Sequence, residues 1–247
     1  KGQMKLILYH TDKDQLEETA EKLTSWHYDV EALLLNEKCE TLPSEILLTK
    51  ENESRRLWKP SPCLEETIGD IETLIRITTQ KEATALDIAC GCGRDMVYLG
   101  LRNDTLRWRH IVGIDYLEKQ LDRLEKLSAA HGLSMENGQL EFYHADLESE
   151  QTFEVAHESF VQKYREYFDL VNVARYLYRP LFPLISKLVK PGGFLVYHTF
   201  MEGCEKFGRP RNPDFLLKTN ELAEIFEDWT ILIDRVKTIS DGRPCSF

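Results

Sequence analysis

The sequence predicts an α/β fold: a doubly wound, mostly parallel seven-stranded sheet preceded by a small β-α-β unit at the amino terminus. Three observations lead there. From residue 64 onward, short apolar runs bounded by glycine, proline or polar clusters alternate with longer stretches of helical periodicity, the pattern of parallel strands joined by crossover helices. One strand-to-helix junction is glycine-rich, Ala89-Cys90-Gly91-Cys92-Gly93, and the following apolar run ends on a carboxylate, Asp115. Finally, 42% apolar content over 247 residues suffices for a full core.

The opening elements are a strand over residues 5–9, a helix over 12–26 with Leu16, Ala20 and Leu23 on one face, and a strand over 30–35. Leu42-Pro43, a polar run through Arg56 and the prolines of Lys59-Pro60-Ser61-Pro62 interrupt regular structure. They place a boundary near residue 52, giving units 1–52 and 53–247. The second unit reads as helix 64–79, strand 84–90, helix 94–103, strand 110–115, helix 117–131 and strand 139–145, with helical and loop residues to 166. It continues with strand 168–174, helix 181–189, a turn at Lys190-Pro191-Gly192-Gly193, strand 194–200, helix 219–227, strand 229–236 and a last strand from 243. Ligands of such sheets bind beyond the carboxyl ends of the strands, so the residues that end strands are the candidates for chemistry.

Charge narrows the partners. A formal net charge of -11 is unfavourable for gripping a phosphate backbone and makes nucleic acid a weak candidate, with Arg209, Arg211 and Lys218 as a local basic patch. No run approaches the ~20 apolar residues of a membrane span and no basic-then-apolar leader opens the chain, so a cytoplasmic location without membrane association is expected. Because the chain opens at Lys1, residues upstream of it are expected. Six cysteines, Cys39, Cys63, Cys90, Cys92, Cys204 and Cys245, form no C-x-x-C pair and read as reduced thiols rather than metal ligands. Oligomeric state stays open.

Gly91 and Gly93 allow a tight turn and close approach of a ligand to the backbone. Asp115, about twenty residues beyond them, is placed to accept hydrogen bonds from two ribose hydroxyls. The turn has no phosphate-binding Lys-Ser/Thr pair, which excludes a nucleoside triphosphate loop. A plain strand-to-helix turn and a nicotinamide site both remain compatible with these residues alone.

The Asp87-Ile88-Ala89-Cys90-Gly91-Cys92-Gly93-Arg94-Asp95 turn, the Ile111-Val112-Gly113-Ile114-Asp115 strand and Ala145-Asp146 together resemble the class I S-adenosylmethionine-dependent methyltransferases, which have a Rossmann-like fold. Phe168-Asp169-Leu170-Val171-Asn172-Val173 resembles that family's fourth strand and Lys190 to Val196 the entry to its fifth, in family order, which goes against a dehydrogenase. The resemblance spans roughly residues 55–247 and implies S-adenosyl-L-methionine as cofactor. It assigns the methionine moiety to Gly91 and Gly93, the ribose to Asp115 and the adenine amino group to Asp146. Asp87 would order the loop or face the cofactor amine, and Ala89, Cys90, Tyr116, Leu147 and Asn172 complete the implied cofactor set. Ala89 stands where many members have glycine.

Ala174-Arg175-Tyr176-Leu177-Tyr178-Arg179-Pro180 and Gly208-Arg209-Pro210-Arg211-Asn212-Pro213 look like a bacterial branch related to tellurite-resistance and thiopurine-type methyltransferases, which act on small, soft or polarisable acceptors. The resemblance puts Arg175 and Tyr176 near the transferable methyl, and Arg209, Arg211 and Asn212 on a loop over the acceptor. Methyl transfer is an in-line displacement that needs alignment and water exclusion, and a base only when the acceptor must lose a proton. His198 is the best-placed imidazole for that role, with Tyr176 and Tyr178 as alternatives. The expected acceptor is a small molecule; a transfer RNA or protein substrate, or a non-enzymatic cofactor-binding or interaction module, are the alternatives.

Leu6 to His10, the helix after it and strand 30–35 resemble the later part of a rhodanese domain. His10 and Thr11 occupy the place of the sulfur-accepting cysteine, so this unit is expected to be catalytically inactive.

Overall fold

A computed structural model describes the backbone of residues 5–10 and 29–35, the helical residues Asp14, Glu17, Glu18 and Glu21, and residues 58–247 apart from 79–80, 103–105, 150–152 and 240–241. The chain divides into two compact units, Lys1–Arg56 and Leu57–Phe247. In the first, β1 (Lys5–His10) pairs in parallel with β2 (Asp29–Leu35). A parallel pair requires a crossover rather than a hairpin, and the four described residues between the strands are helical and exposed. The rest of the expected helix over 12–26, and Thr11 of the rhodanese comparison, lie outside the described residues.

The second unit begins with α1 (Pro62–Thr78), where proline occupies the first helical position and forfeits no hydrogen bond. Its Leu64, Ile68, Ile71 and Ile75 recur at helical spacing and are all buried. Next come β3 (Glu82–Ile88), α2 (Arg94–Gly100), β4 (Arg107–Asp115), α3 (Lys119–Ala130) and β5 (Leu140–His144). They are followed by α4 (Phe153–Ala156), α5 (Glu158–Tyr164), β6 (Phe168–Ala174), α6 (Phe182–Leu188) and β7 (Val189–His198). These five strands form one sheet in the order β5-β4-β3-β6-β7, every pair parallel. The chain winds outward from β3 through β4 to β5, then returns to β3's other side with β6. The order therefore reverses between β3 and β6, the switch point at which such sheets bind ligands.

Successive side chains of each strand serve two cores. Leu86, Ile88, Val171 and Val173 pack with Phe160 and Ile185 on one face; Ala83, Ala85, Ile111 and Leu170 pack with Ile68 and Val97 on the other. Near-continuous apolar runs are what a sheet covered on both faces requires.

The sheet departs from the seven strands expected. After β7, α7 spans Glu221–Ile225, and β8 (Val236–Thr238) and β9 (Pro244–Ser246) form an antiparallel pair of their own. Past the end of β7, Ser246 N donates to Thr199 O (2.9 Å) and Met201 N to Pro244 O (3.0 Å). β9 thus bonds the segment that follows β7, residues 199–201, and in the span of the anticipated strand over 229–236 Ile231, Leu232 and Ile233 lie exposed. The anticipated turn at residues 190–193 is a bulge inside β7. Phe168 pairs with Val189 and Leu170 with Phe194, so residues 190–193 loop out of register. Among the described residues no helix is long and apolar enough to cross a membrane.

Candidate functional site

The glycine-rich turn joins β3 to α2. Ala89, Gly91 and Gly93 alternate in the left-handed region, with φ of 55°, 55° and 72°. A Cβ on Gly93 would lie 2.3 Å from Leu124 Cδ1, whereas one on Gly91 would project into open space. Gly93 is thus required by packing of the turn against α3, and the backbone at Gly91 faces open space. Asp115, ending β4, ties the turn down: its carboxylate accepts from Gly91 N (2.8 Å) and from Leu117 N (3.0 Å). Each oxygen keeps a second lone pair for a ligand hydroxyl.

Register builds the rest. Asp87 of β3 pairs directly with Asn172 of β6, and His198 of β7 pairs with Ala174, two residues beyond Asn172. The two-residue side-chain period puts Asp87, Asn172 and His198 on one sheet face at its carboxyl end, a polar row across three strands. All three are at most 3% exposed. Asn172 Nδ2 donates to Asp87 Oδ1 (2.8 Å) and to Asp95 Oδ2 (3.0 Å), and Ser61 N to Asp95 Oδ1 (2.6 Å). Asp95, in the first turn of α2, therefore connects the row to the start of α1.

This interior is rich in acceptors. Burial, reinforced by the Asp95 carboxylate, pushes the Asp87 carboxyl well above the ordinary range, against the Asn172 hydrogen bond. Asn172 Oδ1 and His198 Nε2 are buried without any hydrogen-bond partner, as is Ser61 Oγ. His198 Nδ1 lies 2.7 Å from Ser246 O. A carbonyl only accepts, so Nδ1 carries the proton and Nε2 presents a lone pair. Burial lowers the imidazole's pKa, with Arg175 lowering it further and the Ser246 hydrogen bond opposing, so the ring is neutral at pH 7.

The other anticipated cofactor residues are scattered in role. Cys90 is half-buried, its thiol pushed up by burial and then by Asp87, so it is no nucleophile at neutral pH. The Tyr116 side chain is 62% exposed, and Asp146 is exposed with its carboxylate capping the turn at Glu148 N (2.9 Å). Leu147 points into the core packed against α5 and α6. Of the acceptor-side residues, Arg175 is exposed and held at φ 60°, its N–H donating to His198 O (2.6 Å). Such a conformation is strained for a residue with a side chain and is often found at functional sites. Tyr176 is half-buried; burial and a hydrogen bond with Glu148 raise its phenol far above the ordinary value.

Arg209 and Arg211 are exposed, and Asn212 Oδ1 caps the turn after it by accepting from Asp214 N (3.1 Å). Among the described residues no hydrogen bond or ion pair links the side chains of Arg209, Arg211 or Asn212 to the Asp87–Asn172–His198 row. What fastens their loop is Arg179, which donates to Asp214 O (2.8 Å) and Leu216 O (3.0 Å) and pairs with Glu221 (2.5 Å). Sequence reasoning overlooked three participants: Asp95, Ser61 and Arg179. Asp95 did have a signal, an acid directly after the glycine turn, but an acid in a helix's first turn also reads as a favourable dipole contact. Among the described residues no group of three or more His, Cys, Asp or Glu is arranged to hold a metal ion.

Comparisons with known proteins place the fold. No protein-family model matches the chain. The uncharacterized protein UNK4.09 of Schizosaccharomyces pombe is 28% identical over 232 residues, a match covering 83% of this chain and 66% of that protein. Of solved structures, the CurJ carbon methyltransferase superposes with a TM-score of 0.51 at 16% identity, covering 77% of this chain and 55% of that one. TehB from Haemophilus influenzae gives 0.49 at 18%, covering 72% and 60%. The α/β fold with its five-stranded parallel sheet is thus one that methyltransferases adopt.

Proposed function

We propose that the chain is an S-adenosyl-L-methionine-dependent methyltransferase acting on a small-molecule acceptor. The observation that carries this reading is the acceptor-rich interior beside the glycine turn. Two buried carboxylates, Asp87 and Asp95, share the Asn172 amide and form no ion pair among the described residues, while Asn172 Oδ1 lacks a donor. Uncompensated buried carboxylates are costly and call for a cation with several hydrogen-bond donors, which the cofactor's ammonium is. Gly91 leaves room for the methionine chain, and Asp115 retains lone pairs for the ribose. The residues present therefore fit the cofactor, which supplies an electrophilic methyl on sulfur. The chain's own residues hold that methyl in line and exclude water, and effective molarities from such positioning reach roughly 10⁵ M or more. The seven-stranded form of the family sheet also belongs to this reading, with β9 and β8 continuing the order beyond residues 199–201.

Calorimetric titration tests it. Micromolar binding of S-adenosylmethionine and S-adenosylhomocysteine is expected, and none of NAD; the reverse would sink the reading. Asp115→Ala is expected to weaken binding about 10-fold to 100-fold, the loss of one or two hydrogen bonds to a charged acceptor; unchanged affinity would move the ribose elsewhere.

A further inference from the structure

The polar row does not end at the carboxylates. Its third member lies two strands from Asp87, a displacement of about 10 Å, at the end of the sheet from which Arg175 and the loop of residues 199–220 emerge. We infer that His198 Nε2 takes a proton from the methyl acceptor, so that the acceptor is a protic nucleophile, O–H, S–H or N–H, which reacts as its conjugate base beside Arg175. This deepens the proposed methyltransferase activity and rests on it.

Three observations carry the inference. His198 is 1% exposed and Nε2 has no partner; a buried lone pair left unpaired costs about 1–3 kcal/mol, which a ligand donor would offset. The ring is fixed rather than loosely packed. Ser246 O holds the tautomer, Ser246 N and Oγ bond Thr199 on either side of the strand junction, and Phe247 lies edge-on with its ring centroid 4.5 Å away. Arg175 is held next to it by the 2.6 Å bond from its N–H to His198 O, and its guanidinium has no ion-pair partner among the described residues. A neutral base with a guanidinium beside it suits an acceptor that becomes anionic. As the new bond to the methyl carbon forms, the acceptor's proton passes to Nε2, and the methyl–sulfur bond breaks with its electron pair remaining on sulfur. The charged groups facing the imidazole are Arg175 from the end of β6 and Asp95 from α2; on the terminal strands Lys237 lies over the Phe247 ring, its Nζ 4.5 Å from the centroid.

The test combines a structural and a kinetic readout. In the S-adenosylhomocysteine complex, imidazole nitrogen NMR is expected to show His198 as the Nδ1–H tautomer, with the Nε2 resonance moving when phenol or thiophenol is added and staying put with dimethyl sulfide. Turnover is then compared for phenol, weakly acidic, and thiophenol, largely ionised at pH 8. His198→Gln is expected to lower phenol methylation about 100-fold or more while lowering thiophenol methylation less than tenfold, with cofactor affinity unchanged. An Nε2 signal unmoved by either protic probe, or equal losses for both acceptors, overturns the inference while leaving the methyltransferase reading intact. Absence of cofactor binding by the wild-type chain overturns both.

Discussion

The two ends of the parallel sheet treat buried polar groups in opposite ways. At the amino end no buried side-chain acceptor among the described residues lacks a partner. Asp169 receives Thr84 N (2.8 Å) and Lys190 Nζ (2.8 Å), the Thr84 hydroxyl donates to Tyr167 O (2.7 Å), and Glu72 receives Arg102 and the Trp108 indole. Nearby, His110, Tyr164 and Lys163 all reach Glu141. At the carboxyl end, Asp87 and Asp95 divide one amide, and Asn172 and His198 keep unpaired atoms. A buried network satisfied throughout rigidifies the fold, whereas one left open carries a free-energy penalty that a ligand can remove. The contrast separates what holds the sheet together from what it holds.

Substitutions at the two ends should therefore differ in sign. The largest effect is expected from Asp169→Ala, which leaves the buried Thr84 N–H without its acceptor and Lys190 without its partner at the closed end. A loss of about 2 kcal/mol is anticipated from leaving a buried donor without its acceptor, read as a lower urea midpoint with cofactor affinity intact in the folded fraction. Asp87→Asn at the open end should do the reverse, stabilising the free chain at pH 7 while weakening cofactor binding. The sign follows from linkage. The Asp87 carboxyl titrates higher in the folded chain than unfolded, so stability falls as pH rises from the ordinary carboxylate range through the raised value. The variant's gain should accordingly vanish below about pH 3 and be complete above the raised pKa, as thermal melts across pH would show. A destabilised variant at pH 7 would mean that the row is closed after all. The smallest effect is expected at Ala89, whose φ of 55° favours glycine. Ala89→Gly relieves about 1 kcal/mol of backbone strain and returns a similar amount as unfolded-state entropy, so melting should shift by no more than a few degrees.

Much of this architecture was legible in the sequence because both of its periodicities are intact. The strand expected over 168–174 forms over those residues, and α3 and β5 fall within two residues of their expected limits. The glycine turn and Asp115 were legible for a different reason, since tight turns and strand-end acids need particular residue types. The carboxyl-terminal stretch was not, because Trp229-Thr230-Ile231-Leu232-Ile233 has the composition of a strand, and whether such a run pairs depends on tertiary contacts that its composition does not encode. Neither was the row as a row. Asp87, Asn172 and His198 are separated by 85 and 26 positions, and only the register of β3, β6 and β7 makes them neighbours. The loop of Arg209 to Asn212 was identified as a unit, but its capping by Asn212 and its attachment through Arg179 depend on contacts that no local pattern encodes.

That attachment sets how the loop can change. Two of the three groups that Arg179 grips are main-chain carbonyls, those of Asp214 and Leu216, and a carbonyl is the same whatever side chain hangs beside it. The clamp thus fixes the path of the loop without reading the side chains of Asp214 and Leu216. The exposed side chains of Arg209 and Arg211 can be exchanged, altering the charge of this surface, while the Arg179 contacts and the Asn212 cap keep the path of the chain.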